Sequence, residues 1–263
     1  MHCSKWLTHF RDNREPRFRI PWERGVHPEP GLRQPLIRSL QRFQIGESGA
    51  GKHLSKLAAT LNNPDYTAAI ALFVAEEQRH AALMAEALRQ LDAPLLRFHW
   101  SDGVFVLLRR VSGLREELLV LLVPEMIAQR YFRALHDGTR DPALRAMFAQ
   151  MDHDEEGHVA FHQNTLAWLF RDSGLLGRGL TRIAWRVLFR AACLVLILDH
   201  WSALRAARVS PLDFWWDCGL IFDEVAAKVF RTDSQPVAEA VSAAHELAIQ
   251  FQPSPPIPHL RSP

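Results

Sequence analysis

The sequence predicts an all-α protein, a four-helix bundle built by internal duplication and followed by further helices. Three observations carry this expectation. Apolar residues recur at helical spacing from Gln34 to Phe170, β-branched runs from which a parallel sheet could be built are few, and one stretch repeats another at a fixed offset. Glu77-Gln78-Arg79-His80 returns 78 positions later as Glu155-Glu156-Gly157-His158. The same step carries Glu47 onto Glu125, Asn63-Pro64 onto Asp141-Pro142, and Glu76 onto Asp154.

Taken in order, residues 1–31 mix Arg14, Pro16, Arg17, Pro21, Trp22, Pro28 and Pro30 without a helical period. They are expected to form an extended arm lying on the bundle, or a disordered leader. The bundle itself is assigned to 32–171. Its first helix runs from Gln34 to Leu61, with Leu36, Leu40, Phe43, Glu47, Leu54 and Leu61 near one stripe. Asn63-Pro64, a capping residue followed by proline, opens the second helix, whose inward face is Ile70, Phe73, Val74, Glu77, His80, Ala81 and Met84. Asp92 to Gly103 reads as the crossover between two helical hairpins. Leu107 to His136 is the third helix, with Pro124 expected to kink it just before Glu125 and Gly138 as its stop. Asp141-Pro142 opens the fourth, which runs to about Phe170.

Residues 172–251 are expected to be a helical extension. Arg178, Arg182, Arg186 and Arg190 step by four ahead of the apolar run Ala191 to Leu198. This is a basic amphipathic helix that would grip an acidic partner, lie on an anionic membrane surface, or present a solvated face. Pro211 starts a helix rich in Trp215, Trp216, Phe222 and Phe230, and Val237 to Ile249 reads as the last one; these would cover the bundle or form a homodimer face. His200 reads as a helix-end residue. Residues 252–263, rich in proline, should be a disordered tail.

The repeated motif has chemical content. Residues three apart on a helix face the same way, so each Glu-x-x-His directs a carboxylate and an imidazole to one point. Glu47 and Glu125 each stand 30 residues before their motif, a distance that suits an antiparallel neighbouring helix. Four helices thereby contribute four Glu and two His, the inward ligand set of a di-iron or di-manganese carboxylate bundle. A buried carboxylate such as Glu47 needs neutralisation, a partner or a metal, since burying it alone costs several kcal/mol.

One competing motif overlaps the first ligand. Gly46-Glu47-Ser48-Gly49-Ala50-Gly51-Lys52 fits the start of a phosphate-binding P-loop and resembles the version found in myosins. Leu194 to Asp199 would then be the strand ending in a magnesium-holding aspartate. His53 stands where the full motif requires Ser or Thr, and the run before Gly46 is helical and amphipathic. A nucleotide site is therefore an alternative, and the glycines are otherwise explained by close packing or by an opening beside the metal site.

Through Glu47, Glu77-x-x-His80, Glu125 and Glu155-x-x-His158, the segment from Gln34 to Phe170 resembles the ferritin-like di-iron carboxylate superfamily, which includes bacterioferritins, rubrerythrins, acyl-carrier-protein desaturases and arylamine N-oxygenases. The resemblance implies that two of the glutamates bridge two irons while His80 and His158 each hold one. It also implies that Glu76 and Asp154 each orient a histidine, with Arg79 joining that network. Manganese or a mixed pair is compatible with the same donors. Departures narrow the choice. Ala128 replaces a further rubrerythrin ligand, the cysteine-ligated electron-transfer module of that family is absent, and Met151 stands where the N-oxygenases carry an extra histidine. His153 and His162 read as surface residues or as neighbours of the ligands, and Tyr131 as facing away.

These residues lead to an expected metal-dependent oxidoreductase that activates dioxygen to oxidise a small or carrier-bound organic substrate, as an oxygenase, desaturase or N-oxygenase would, with electrons from a donor protein. A non-catalytic iron-binding or ferroxidase-like protein is the alternative. A net charge of +2 from 31 Lys and Arg against 29 Asp and Glu gives no general affinity for nucleic acid. Cys3, Cys193 and Cys218, with no CxxC, suit a reducing cytoplasm, and no secretory signal or membrane span is expected.

Overall fold

The computed structural model describes residues 3–15, 17–49, 51–96 and 113–231. Every regular element among them is helical. In chain order these are α1 (Cys3–Asp12), a 3-10 turn (Trp22–Arg24), α2 (Pro30–Glu47), α3 (Lys52–Ala59), α4 (Pro64–Gln90), α5 (Leu114–Gly138), α6 (Pro142–Phe170), α7 (Leu175–Asp199), α8 (Trp201–Ala206) and α9 (Pro211–Val229). Residues 97–112, which hold most of the expected crossover and the first turns expected of the third bundle helix, lie outside the described residues. So do 232–263, with the helix expected over Val237 to Ile249 and the tail.

The helix starts are built as the sequence dictates. Asn63 Oδ1 accepts from Tyr66 N at 3.0 Å and Asp141 Oδ1 from Leu144 N at 2.8 Å, each with proline at the next position. A side-chain cap satisfies a backbone donor that the first turn leaves orphaned, and proline there gives up no hydrogen bond. α5 continues through Pro124 to Gly138. The proline cannot donate to the Val120 carbonyl one turn earlier, so that carbonyl is left outside the helical ladder.

Packing follows the two repeats. α2 lies on α4 and α5 on α6, with α4 touching α6. α3 sits over α4 and α5, and α1 covers α4. α7, α8 and α9 close over α5, α2 and α6. Leu36, Leu40, Phe73, Met84, Leu118, Leu122, Phe132, Phe148 and Phe161 are almost fully buried between the paired helices. Burying an aliphatic or aromatic side chain of this size contributes about 1.5–3 kcal/mol.

Two expectations are corrected. The N-terminal stretch is not extended throughout: Cys3, Trp6, Leu7 and Phe10 are the buried face of α1, a stripe at i, i+3, i+4 and i+7 that was legible in the first ten residues. Phe10 packs edge-on to Phe161 at 5.1 Å and Trp6 lies 5.5 Å from the same ring. The first bundle helix is not continuous to Leu61 either. α2 ends at Glu47, and Ser48, Gly49 and Gly51 lie outside the helical run before α3 begins at Lys52. Gly51 has φ +57°, a conformation that costs an L-residue roughly 1–2 kcal/mol, and a Cβ there would strike Val74 of α4. Gly51 therefore holds the break that follows Glu47.

Candidate metal centre

Six side chains from four helices converge in one cluster. Glu47 closes the last turn of α2, Glu77 and His80 lie on one face of α4, Glu125 follows Pro124 on α5, and Glu155 and His158 share a face of α6. Donor atoms of Glu77, Glu125, Glu155 and His158 lie within 4.8 Å of one another, and so do those of Glu47, Glu77 and His80. The two groups share Glu77. Each is a set of carboxylate and imidazole donors that could hold a metal ion.

The distances show how the groups interlock. His158 Nδ1 lies 3.0 Å from Glu77 Oε1, 3.4 Å from Glu125 Oε2 and 3.5 Å from Glu155 Oε2. His80 Nδ1 lies 3.5 Å from Glu155 Oε1 and 3.9 Å from Glu77 Oε1. Glu155 thus offers one oxygen towards each imidazole. Glu77 Oε1, His80 Nδ1, Glu155 Oε2 and His158 Nδ1 are all buried, yet none makes a hydrogen bond of acceptable geometry. Buried polar atoms without partners are costly and rare, and here four of them point at one another. Cations held by the two groups, which share Glu77, would satisfy these atoms, so the residues present fit metal.

Behind the imidazoles stand two further carboxylates. His158 Nε2 is 3.0 Å from Glu76 Oε2 and His80 Nε2 is 3.1 Å from Asp154 Oδ2, so each histidine is held by the acidic residue next to the other repeat's motif. A carboxylate on Nε2 accepts the ring proton there and leaves Nδ1 as the free donor pair facing the cluster. Arg79 pairs with Glu76 at 3.0 Å and donates to the carbonyls of Asn13 and Arg14 at the end of α1. Gln150 donates to Asp154 Oδ1 at 2.8 Å and accepts from Phe18 N at 3.1 Å. The N-terminal segment is thereby tied to both carboxylates behind the histidines. Gln150 has no special spacing in the sequence, and a backbone partner such as Phe18 N leaves no sequence signal at all.

The electrostatics reflect a surplus of acid in a small buried volume. Burial, then the neighbouring Glu77, pushes Glu47 and Glu125 well above the usual carboxylate range. Glu155 and Glu77 are lowered: burial opposes this, and the imidazoles and a protonated glutamate held close to each carboxylate outweigh it. Burial alone would lower His80, but Asp154, Glu155 and Glu77 raise it to about 9. His158 is raised well above its ordinary value, with burial opposed by Glu125, Glu155, Glu76 and Glu77. Protons on these groups stand in for cations.

Other sequence candidates fall elsewhere. His162 is fully buried, edge-on to Phe73 at 4.6 Å, with neither ring nitrogen bonded, and burial followed by the nearby His158 lowers it to about 3. It is therefore no surface residue. Gly157 within the second motif leaves room for α1, since a Cβ there would meet His9 Nε2 at 2.6 Å. Tyr131 turns from the cluster and shares a hydrogen bond with Ser39 at 2.7 Å, while Ser39 lies 3.0 Å from His200 Nδ1. Gly46 is inside α2 and Leu194 to Asp199 inside α7, so the P-loop's strand-loop-helix setting is not formed among the described residues. Arg178, Arg186 and Arg190 bond within the chain, to Ser173 O and Arg171 O, to Asp223, and to Trp215 O respectively.

A cavity of about 170 Å³ opens against the cluster. Glu47, Glu77, Glu125 and Glu155 line it together with Arg42, Asp199 and His200, and Phe43, Val120, Pro124, Ala128, Val195 and Leu196 are among its apolar lining. Arg42 Nη1 and Asp199 Oδ1 pair at 3.1 Å. The helix break after Glu47, the proline of α5 and the inner face of α7 all border this space, so it is a consequence of the irregularities in the bundle.

Fold and site together define an all-helical protein with a buried carboxylate and histidine cluster able to take metal. Compared with family models, with curated proteins and with solved structures, the chain matches none. No helix among the described residues is long and apolar enough to cross a membrane.

Proposed function

We propose that the chain is a ferritin-like di-iron carboxylate oxidoreductase that uses dioxygen to oxidise a small organic substrate. The observation that carries the reading is the convergence of four unbonded buried donor atoms, Glu77 Oε1, His80 Nδ1, Glu155 Oε2 and His158 Nδ1, beside a pocket with apolar walls. Glu77, Glu125, Glu155 and His158 would hold one ion, and Glu47, Glu77 and His80 the other. Iron is the metal that the resemblance to the ferritin-like superfamily implies; manganese fits the same donors.

Iron held by these carboxylates and imidazoles would supply the electrons for reducing dioxygen, to be restored by a donor protein. The protein's own part is orientation and exclusion. Glu76 and Asp154 keep the Nε2 protons and fix the imidazole planes, which sets the direction of both Nδ1 donors. Phe43, Val120, Pro124 and Leu196 line the space next to the cluster and limit water, where a reactive oxidant would otherwise be lost. The cavity suits a substrate with an apolar body; Arg42, Asp199 and His200 offer polar groups to its other end.

Loading the metal-free protein anaerobically with ferrous iron, followed by metal analysis and absorption after oxygen is admitted, tests the reading. Uptake that saturates near two irons per chain, with an oxygen-dependent absorption change, supports it. Hundreds of irons in a large hollow particle would favour a store instead, and no uptake would end both.

A further inference from the structure

The outer face of α7 carries an apolar stripe that no other described helix covers. Leu176, Leu180 and Ile183 precede Val187 on this stripe, and Ala191, Leu194 and Leu198 follow it, all exposed, with Val187 at 65% and Leu198 at 68%. Soluble surfaces rarely leave so long a contiguous apolar strip uncovered. No charged residue falls on it. Two arginines of the same helix are directed elsewhere: Arg186 to Asp223 and Arg190 over the Trp215 ring, 4.5 Å from its centroid.

The spacing of the stripe is informative. Its intervals are 4, 3, 4, 4, 3, 4, so residue 176 returns at 187 and 198 after steps of eleven. An eleven-residue period keeps a stripe nearly straight along an α-helix. The series also reads the same in both directions about Val187. A two-fold axis through Val187 would therefore set a second, antiparallel α7 with Leu176 facing Leu198, Leu180 facing Leu194, Ile183 facing Ala191 and Val187 facing itself. Such reciprocity is what a closed two-fold contact requires.

We infer that α7 is the dimer interface of this protein, pairing antiparallel with α7 of a second copy about an axis at Val187. Leu212, Trp216 and Leu220, exposed on the adjoining α9, extend the apolar surface. Ten such side chains at roughly 100 Å² each present about 1,000 Å², close to one partner's share of a stable interface, about 800 Å². A membrane surface fits less well, because an interfacial helix draws on several cations for lipid phosphates and three of the four arginines of α7, Arg178, Arg186 and Arg190, are engaged within the chain, while α9 exposes Asp213. The inner side of α7 lines the cavity through Ala192, Val195 and Leu196, so the same contact would steady a pocket wall.

Sedimentation of the full-length protein tests this independently of any metal. A dimer of about twice 30.0 kDa is expected. Val187→Glu sets two carboxylates face to face and should weaken association roughly a hundredfold or more, with helix content unchanged. Under mild oxidation Val187→Cys should form an intermolecular disulfide, and Leu176→Cys should crosslink to Leu198→Cys only when the two variants are mixed. A monomeric wild type, a dimer indifferent to Val187→Glu, absence of the Val187→Cys crosslink in a persisting dimer, or a monomer that floats with anionic vesicles would each overturn the inference.

Discussion

Glu76 Oε2 lies 3.0 Å from His158 Nε2, across 82 positions of the chain, and Asp154 answers it at 3.1 Å from His80. Each repeat thus supplies the carboxylate that orients the other repeat's histidine. The arrangement makes the two halves of the duplication interdependent: neither histidine is held by its own motif alone.

Glu76→Gln and Asp154→Asn should each lower metal affinity about 10- to 100-fold, as loss of a carboxylate behind a ligating histidine typically does. Titration of the metal-free variants with manganese(II), with circular dichroism to show that the helices persist, checks this. Unchanged affinity in both would mean that the ions do not bind through His80 and His158.

The two donor groups differ, and Glu47 belongs to only one. Glu47→Ala should therefore remove one ion of two and leave the other, whereas Glu77→Ala, which touches both groups, should abolish binding of the pair. Metal content per chain by elemental analysis separates these outcomes. Lys52→Ala, on the outer side of the helix break, should leave metal content intact.

The stability of the metal-free protein and the increment that metal adds to it respond to pH with opposite signs. His80 is raised from 6.5 to about 9, so the folded metal-free protein holds that proton more tightly than the unfolded chain does. Its contribution is full below pH 6.5 and lost as pH rises through about 9. The Tm of the metal-free protein should consequently fall across that window. Ions compete with the same proton, so the rise in Tm on adding manganese(II) anaerobically should grow over it. A metal effect that shrinks with rising pH would place the ions elsewhere.

Gly51 should resist substitution. Gly51→Ala meets both the left-handed backbone and Val74, and should cost roughly 1–3 kcal/mol in denaturant melts. Val74→Ala in the same chain should recover the steric part and leave the backbone part. Full stability in Gly51→Ala would show that the break after Glu47 is not built as described.

Arg79 links Glu76 to the carbonyls of Asn13 and Arg14. Arg79→Ala should raise amide exchange in α1 and also weaken metal binding, a joint effect that a merely local surface contact would not produce. Exchange mass spectrometry and the manganese titration report the two halves separately.

The sequence by itself determined the helical class, the helix starts at Asn63-Pro64 and Asp141-Pro142, and the residues that meet at the centre. Period and spacing are local properties, and a duplicated Glu-x-x-His repeats its local geometry wherever it occurs. Even α1 was legible in the stripe of Cys3, Trp6, Leu7 and Phe10. Only the tertiary structure decided the rest. The break at Gly51 depends on Val74 approaching from another helix, the roles of Gln150 and the Phe18 N–H depend on the N-terminal segment crossing α6, and the inward turn of Arg186 and Arg190 depends on Asp223 and Trp215 of α9. The reason is physical: helical spacing says which residues share a face, but only the packed neighbours determine whether that face meets a core, a cavity or nothing.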